Sequence, residues 1–175
     1  MSRTLPPQCL RPWASRYIDD PTGRASSAGL SDPRAAGYVE VSESGDGALG
    51  QTITAGRHIF PADEPAPIGT DSGPDPYDLL LAALGTSTAM TVWMYAQRNR
   101  WPLRHLTVHL RHSRIHASDC AGCATQVGKL DRIERILLLE GELDDDQSCQ
   151  LLEIADKCPV QRTLGSAVII DSDKA

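Results

Sequence analysis

The chain is expected to fold as an α+β domain, and three observations point there. Leu79 to Gln97 carries no charge, yet Gly85, Thr86, Ser87, Thr88 and Thr91 interrupt it. Those small polar residues, with Asp78 and Arg98 as tight flanks, favour a buried central helix over a membrane span. Paired stretches with β-type alternation precede and follow this helix. A second, capped helical segment comes after the later pair. The resulting order, β-β-α-β-β-α-β, segregates helices against sheet.

Residues 1–34 contain Pro6, Pro7, Pro12, Pro21 and Pro33 without sustained periodicity, so they are expected to form a flexible extension. Trp13 and Tyr17 are its candidate anchors to the folded body. Residues 35–175 are expected to form one domain, long enough to bury a core. Its first strands are Tyr38–Val41 and Gly50–Phe60, with a turn at Glu43–Gly47. A proline-rich loop from Pro61 leads to the central helix. Asp75 suits its N-cap, Pro76 its first position, and Asp78 its first turn. Leu80, Leu84, Ser87, Thr91 and Met94 or Tyr95 share one face, and Leu79, Ala83, Met90 and Trp93 another. A helix apolar on most sides belongs inside, and its small residues admit close neighbours. Arg98, Arg100 and Pro102 end it.

Leu106–His116 alternates apolar and basic residues and should pair with Leu130–Glu140 across a polar tip, Asp119–Gly128. His105 and His109 lie on a solvated face. Asp144 to Lys157 is the second helix, with Asp144 and Gln147 at capping-box spacing. Leu151, Ile154 or Ala155, and Cys158 face inward. Pro159 starts a fresh turn, and Ala167–Ile170 is expected to close the fold as a strand.

A net charge of −6 leaves no basic surface for nucleic acid and none that attracts an anionic membrane. Five unevenly spaced cysteines, Cys9, Cys120, Cys123, Cys149 and Cys158, do not read as a secreted disulfide framework. With no leader pattern at the N-terminus, the expected location is cytoplasmic.

Cys158 follows one helix and precedes Pro159–Arg162, which can begin another, near Lys157 and Arg162. A thiol at a helix start beside cations is placed for reactivity. A small buried apolar residue is the plain alternative. His116, Cys120 and Cys123 have the spacing of half a zinc site, with His112 as a possible fourth ligand. A closed zinc site usually takes two such pairs, and the sequence has only one, so two thiols on a surface loop are the simpler reading.

Two segments, Gly73–Thr91 and Asp156–Leu164, together resemble the OsmC/Ohr family of thiol-dependent peroxidases, and the likeness spans about residues 38 to 170. The resemblance implies a tightly interlocked homodimer with pockets at its interface, an organic hydroperoxide substrate, an external dithiol reductant, a role in oxidative-stress defence, and no cofactor. The family's first motif ends near Leu-Gly-Ala-Cys-Thr-Ala. Here Ser87 occupies the peroxidatic position, while Cys158 matches the resolving cysteine. A serine oxygen cannot pass through the sulfenic and disulfide states, so Ser87 blocks the two-cysteine cycle. Ser87 otherwise reads as a small polar residue bonding back one helical turn.

Two further departures stand out. Pro76-Tyr77 replaces the family's Pro-Glu, whose glutamate helps orient an arginine over the sulfur, and Gln161 stands where relatives often carry His. Gly56–His58 and Ala62–Pro65 match the Pro-Tyr branch, so the resemblance assigns the orienting role to Arg57, His58 or Glu64. Two other classes of function stay open: a binding module for a hydrophobic ligand on the same fold, and a metal or redox sensor at the Cys120/Cys123 hairpin.

Overall fold

A computed structural model describes residues 37–116 and 128–172, so the expected 1–34 extension and most of the hairpin tip lie outside the described residues. Two compact units divide between Pro76 and Tyr77. The first is an antiparallel meander of β1 (Val39–Glu43), β2 (Gln51–Ala55) and β3 (His58–Ala62) in that order. Gly50–Phe60 is therefore a hairpin, where one strand was expected. Gly56, at φ 61°, makes the tight turn with Arg57, and Ala55 then pairs with His58. A glycine reaches this positive φ without steric cost, which is why two-residue hairpin turns favour it.

The loop after β3 closes on Asp63. Its carboxylate accepts the Thr70 hydroxyl at 2.7 Å and the Thr70 and Glu64 amides at 2.8 Å. The Ser72 hydroxyl at 3.2 Å and amide at 3.3 Å complete the set. Gly69 is needed here, because a Cβ would fall 2.1 Å from the Glu64 carbonyl oxygen and 2.5 Å from Asp63 Oδ1. The Thr70 hydroxyl, then its amide, hold the Asp63 carboxyl well below the usual carboxylate range against the opposing effect of burial. The folded state thus binds the proton more weakly than the unfolded state. The stabilisation is complete above the unfolded value of about 3.9 and is lost as pH falls toward the folded one. Asp63→Asn is expected to lower the urea midpoint at neutral pH. It should also flatten the midpoint's fall as pH drops below about 4, where the unfolded wild-type carboxylate takes up its proton and the folded one stays ionised.

The second unit contains α1 (Pro76–Arg98) from Tyr77 on, β4 (Leu103–His116), β5 (Lys129–Gly141), α2 (Asp145–Ala155) and α3 (Pro159–Leu164). β4 and β5 form a long antiparallel ribbon whose register pairs Leu106 with Leu139, Leu110 with Arg135 and His112 with Ile133. The expected capping box is present, with Asp144 accepting the Gln147 amide at 2.7 Å and Gln147 Oε1 accepting the Asp144 amide. The core gathers Val92 and Ala96 of α1, Leu103, and Leu151 and Ala155 of α2, with Leu106, Leu137 and Leu139 packed against it.

α1 is long and apolar enough to cross a membrane by length and composition. Here it buries one stripe in the unit: Leu84, Ser87, Thr88, Thr91, Val92 and Ala96. The all-round burial expected from its composition is not seen within one chain. Tyr77, Met90 and Trp93 are exposed, as are Ile136 and Leu138 on β5. The expected final strand is also absent. Ala167–Ile170 has no assigned structure, and Ile169 is 85% exposed. A strand needs a partner for its backbone groups, and none of the described residues pairs with this segment. The observed order is β-β-β-α-β-β-α-α.

Candidate functional site

Pro159 cannot continue α2, so the chain turns at Cys158 and restarts as α3. Cys158 is the N-cap of that helix, in extended conformation at φ −65° and ψ 141°, with Pro159 following in the first turn. Its sulfur accepts the Gln161 amide at 3.3 Å. From α1, the Thr88 hydroxyl donates to the same sulfur at 3.5 Å. Cys158 is wholly buried. Ser87, one residue before Thr88, is also buried, and its oxygen accepts the Val160 amide at 3.5 Å. That contact replaces the back-bond expected from a helical serine. Thr91 instead caps the Ser87 carbonyl at 2.7 Å. Positions 87 and 158 therefore meet at one junction, where the middle of α1 crosses the start of α3.

The cation at this junction is Arg135 of β5. Its side chain is 14% exposed and reaches four acceptors. Nη1 donates to Gln161 Oε1 at 2.6 Å, to Thr88 Oγ1 at 3.2 Å and to the Ala155 carbonyl at 3.2 Å. Nη2 bonds Asp156 Oδ1 at 2.6 Å, and Gln161 Nε2 donates to the same oxygen at 3.4 Å. The carboxylate balances the charge of a largely buried guanidinium, which would otherwise be costly at that depth. Beside it opens a cleft of about 410 Å³ lined by Leu84, Ile133, Arg135, Asp156, Gln161 and Leu164 among others. Its wall is half polar. Leu84, Ile133 and Leu164 supply its apolar side chains.

Asp131 stands at another point of the cleft wall. It pairs with His112 Nε2 at 2.9 Å and Arg114 Nε at 3.1 Å, and these bonds, His112's first, keep its carboxyl below the usual range. Tyr77 stacks on His112 with ring centroids 4.3 Å apart. Tyr77, standing where a glutamate was expected from the resemblance, thus occupies itself with the β4 ribbon.

The other sequence-predicted residues are placed as follows. Arg57 is exposed in the β2–β3 turn, His58 begins β3, and Glu64 lies in the Asp63 loop, all within the first unit. Lys157 and Arg162 are exposed, and the cation bonded into the junction is Arg135. His116 ends β4 exposed, while Cys120 and Cys123 lie outside the described residues. Among the described residues no group of three or more His, Cys, Asp or Glu is arranged to hold a metal. Arg135, Thr88 and Asp156 were not singled out from the sequence.

The pattern of an OsmC-like protein matches residues 69–173, more than half of the chain and all of this junction. The chain belongs to the OsmC-like family. Solved OsmC-like structures agree on the fold. An OsmC-like protein of Mycoplasma pneumoniae superposes with a TM-score of 0.58 at 17% identity, covering 73% of this chain and 85% of its own. A Legionella pneumophila organic hydroperoxide resistance protein OsmC gives 0.53 at 14% identity, covering 73% and 87%. The organic hydroperoxide resistance protein OhrB of Bacillus subtilis gives 0.50 at 16% identity, covering 74% and 91%. No curated protein matches the chain significantly.

Proposed function

We propose that this OsmC-like protein is of the thiol-dependent organic hydroperoxide reductase type, serving oxidative-stress defence, with its two-cysteine cycle interrupted at Ser87. One observation carries the reading: the Val160 amide bonds Ser87 Oγ while Thr88 bonds the Cys158 sulfur, so the two redox positions share one buried junction. Among the described residues, Cys158 is the one cysteine at that junction. A thiol and a hydroperoxide give a sulfenic acid and an alcohol, with the O–O bond broken and sulfur oxidised. Without a second thiol at position 87, that sulfenic acid has no internal partner.

The test is consumption of cumene hydroperoxide with dihydrolipoamide, by the unchanged protein and by Ser87→Cys. Steady turnover in the cysteine form, against at most stoichiometric loss in the unchanged protein, supports the reading. Silence in both supports a ligand-binding module, a reading favoured by the cleft beside Arg135.

A homodimer belongs to the same proposal. Met90 and Trp93 form an exposed apolar face on a helix that is mostly apolar, and such a face calls for cover. Light scattering at micromolar concentration is expected to give twice the chain mass. Trp93→Asp should give the monomer mass.

A further inference from the structure

We propose that Arg135 is the positioning residue of this site and acts on the Cys158 sulfur through the Thr88 hydroxyl. The proposal rests on reading Cys158 as the sulfur that meets hydroperoxide. A guanidinium can only donate, whereas a threonine hydroxyl has one proton and two lone pairs. Arg135 Nη1, at 3.2 Å, fills a lone pair of Thr88 Oγ1. The threonine proton is then free to point elsewhere, and the Cys158 sulfur lies 3.5 Å away. The order of donation is set: guanidinium to hydroxyl, hydroxyl to sulfur. Chains of this kind strengthen each member, more so where water is excluded, and Thr88 and Cys158 are both fully buried.

Arg135 also holds the sulfur's second donor. Its Nη1 grips Gln161 Oε1 at 2.6 Å, fixing the residue whose backbone amide meets the sulfur at 3.3 Å. Both groups that donate to Cys158 thus belong to residues that Arg135 bonds directly. Lysine cannot reproduce this, because Arg135 uses two nitrogens of one rigid plane, Nη1 toward Thr88 and Gln161 and Nη2 toward Asp156.

A mere latch holding β5 to the helices would use the same bonds, but it predicts the opposite kinetics. Loosening a latch exposes a buried thiol and speeds its modification. Removing a relay slows modification even if access improves. The experiment follows Cys158 in the full, otherwise unchanged chain by peptide mass spectrometry, with iodoacetamide and, separately, cumene hydroperoxide as probes.

Thr88→Val and Arg135→Lys are each expected to slow both reactions by roughly three- to tenfold, the scale of one hydrogen bond to a charged partner. Thr88→Ser keeps the hydroxyl and should stay within about twofold of the unchanged chain. Arg135→Lys added to Thr88→Val should cost less than Arg135→Lys alone, since the part of its action that runs through the hydroxyl is already lost and only the hold on Gln161 remains. Faster alkylation in Thr88→Val and Arg135→Lys, or fully additive losses, would overturn the relay. If the iodoacetamide ranking holds while hydroperoxide leaves Cys158 untouched, the relay stands and the peroxidase reading falls. If hydroperoxide reacts and the ranking is absent, the reading stands and the relay falls.

Discussion

Ser87→Cys is expected to turn the chain from a stoichiometric consumer of hydroperoxide, at most, into a catalyst, with a steady-state gain on the order of 10²-fold or more. Position 87 is buried on α1, and its side chain faces the first amides of α3. A cysteine there would meet the peroxide, break its O–O bond and keep one oxygen as sulfenic acid while the alcohol leaves. The Cys158 thiol then attacks that sulfur, an S–S bond forms and water departs. An external dithiol reduces the disulfide to two thiols and is itself oxidised. Bridging without backbone movement requires Cα atoms within about 7 Å, so peroxide-treated Ser87→Cys should show the 87–158 disulfide by non-reducing peptide mapping. Adding Cys158→Ser should abolish turnover and leave a sulfenic acid trappable with dimedone. A cysteine form that folds, binds no oxidant and forms no bridge would remove the redox-pair argument.

Much of this junction was legible in the sequence because local chemistry decides it. Pro76 and Arg98 bound α1 where proline and the terminal arginines put its ends. Asp144 and Gln147 announced α2 through a box whose bonds are local to one turn. Cys158-Pro159 announced a helix restart, since proline at the first position is pre-set for it. The missing final strand depends on a partner distant in sequence. Ala167–Ile170 has the right composition for a strand, but composition supplies no neighbour to pair with. Gly56-Arg57 reads as the middle of one strand in sequence because alternation continues across a two-residue turn.

Arg135 is the instructive omission. Ile133, Leu137 and Leu139 share its parity on β5, the parity that faces the core. A cation set among them must find acceptors or pay heavily in desolvation, and that conflict was visible in the sequence. Lys157 and Arg162 adjoin Cys158 in the chain, but both are exposed. Adjacency in sequence lost to adjacency across the fold.

Leu151→Ala is expected to destabilise the second unit by about 2–5 kcal/mol, measured as a lower urea midpoint. Leu151 has no exposed surface and packs where α2 meets Val92 and Ala96 of α1. Truncation removes its transfer energy and leaves a cavity, because Leu103 and Ala155 are themselves held by the same cluster. The loss should also reach the site, since Ala155, whose carbonyl accepts from Arg135, lies one turn further along α2. Leu152 is the matched control. It is adjacent in sequence but 47% exposed, so Leu152→Ala should stay within about 0.5 kcal/mol in a lone chain. A larger loss that grows with protein concentration would place Leu152 under a second copy, because only an association step makes stability depend on concentration. Equal losses at 151 and 152 at all concentrations would contradict the packing of α2 described here.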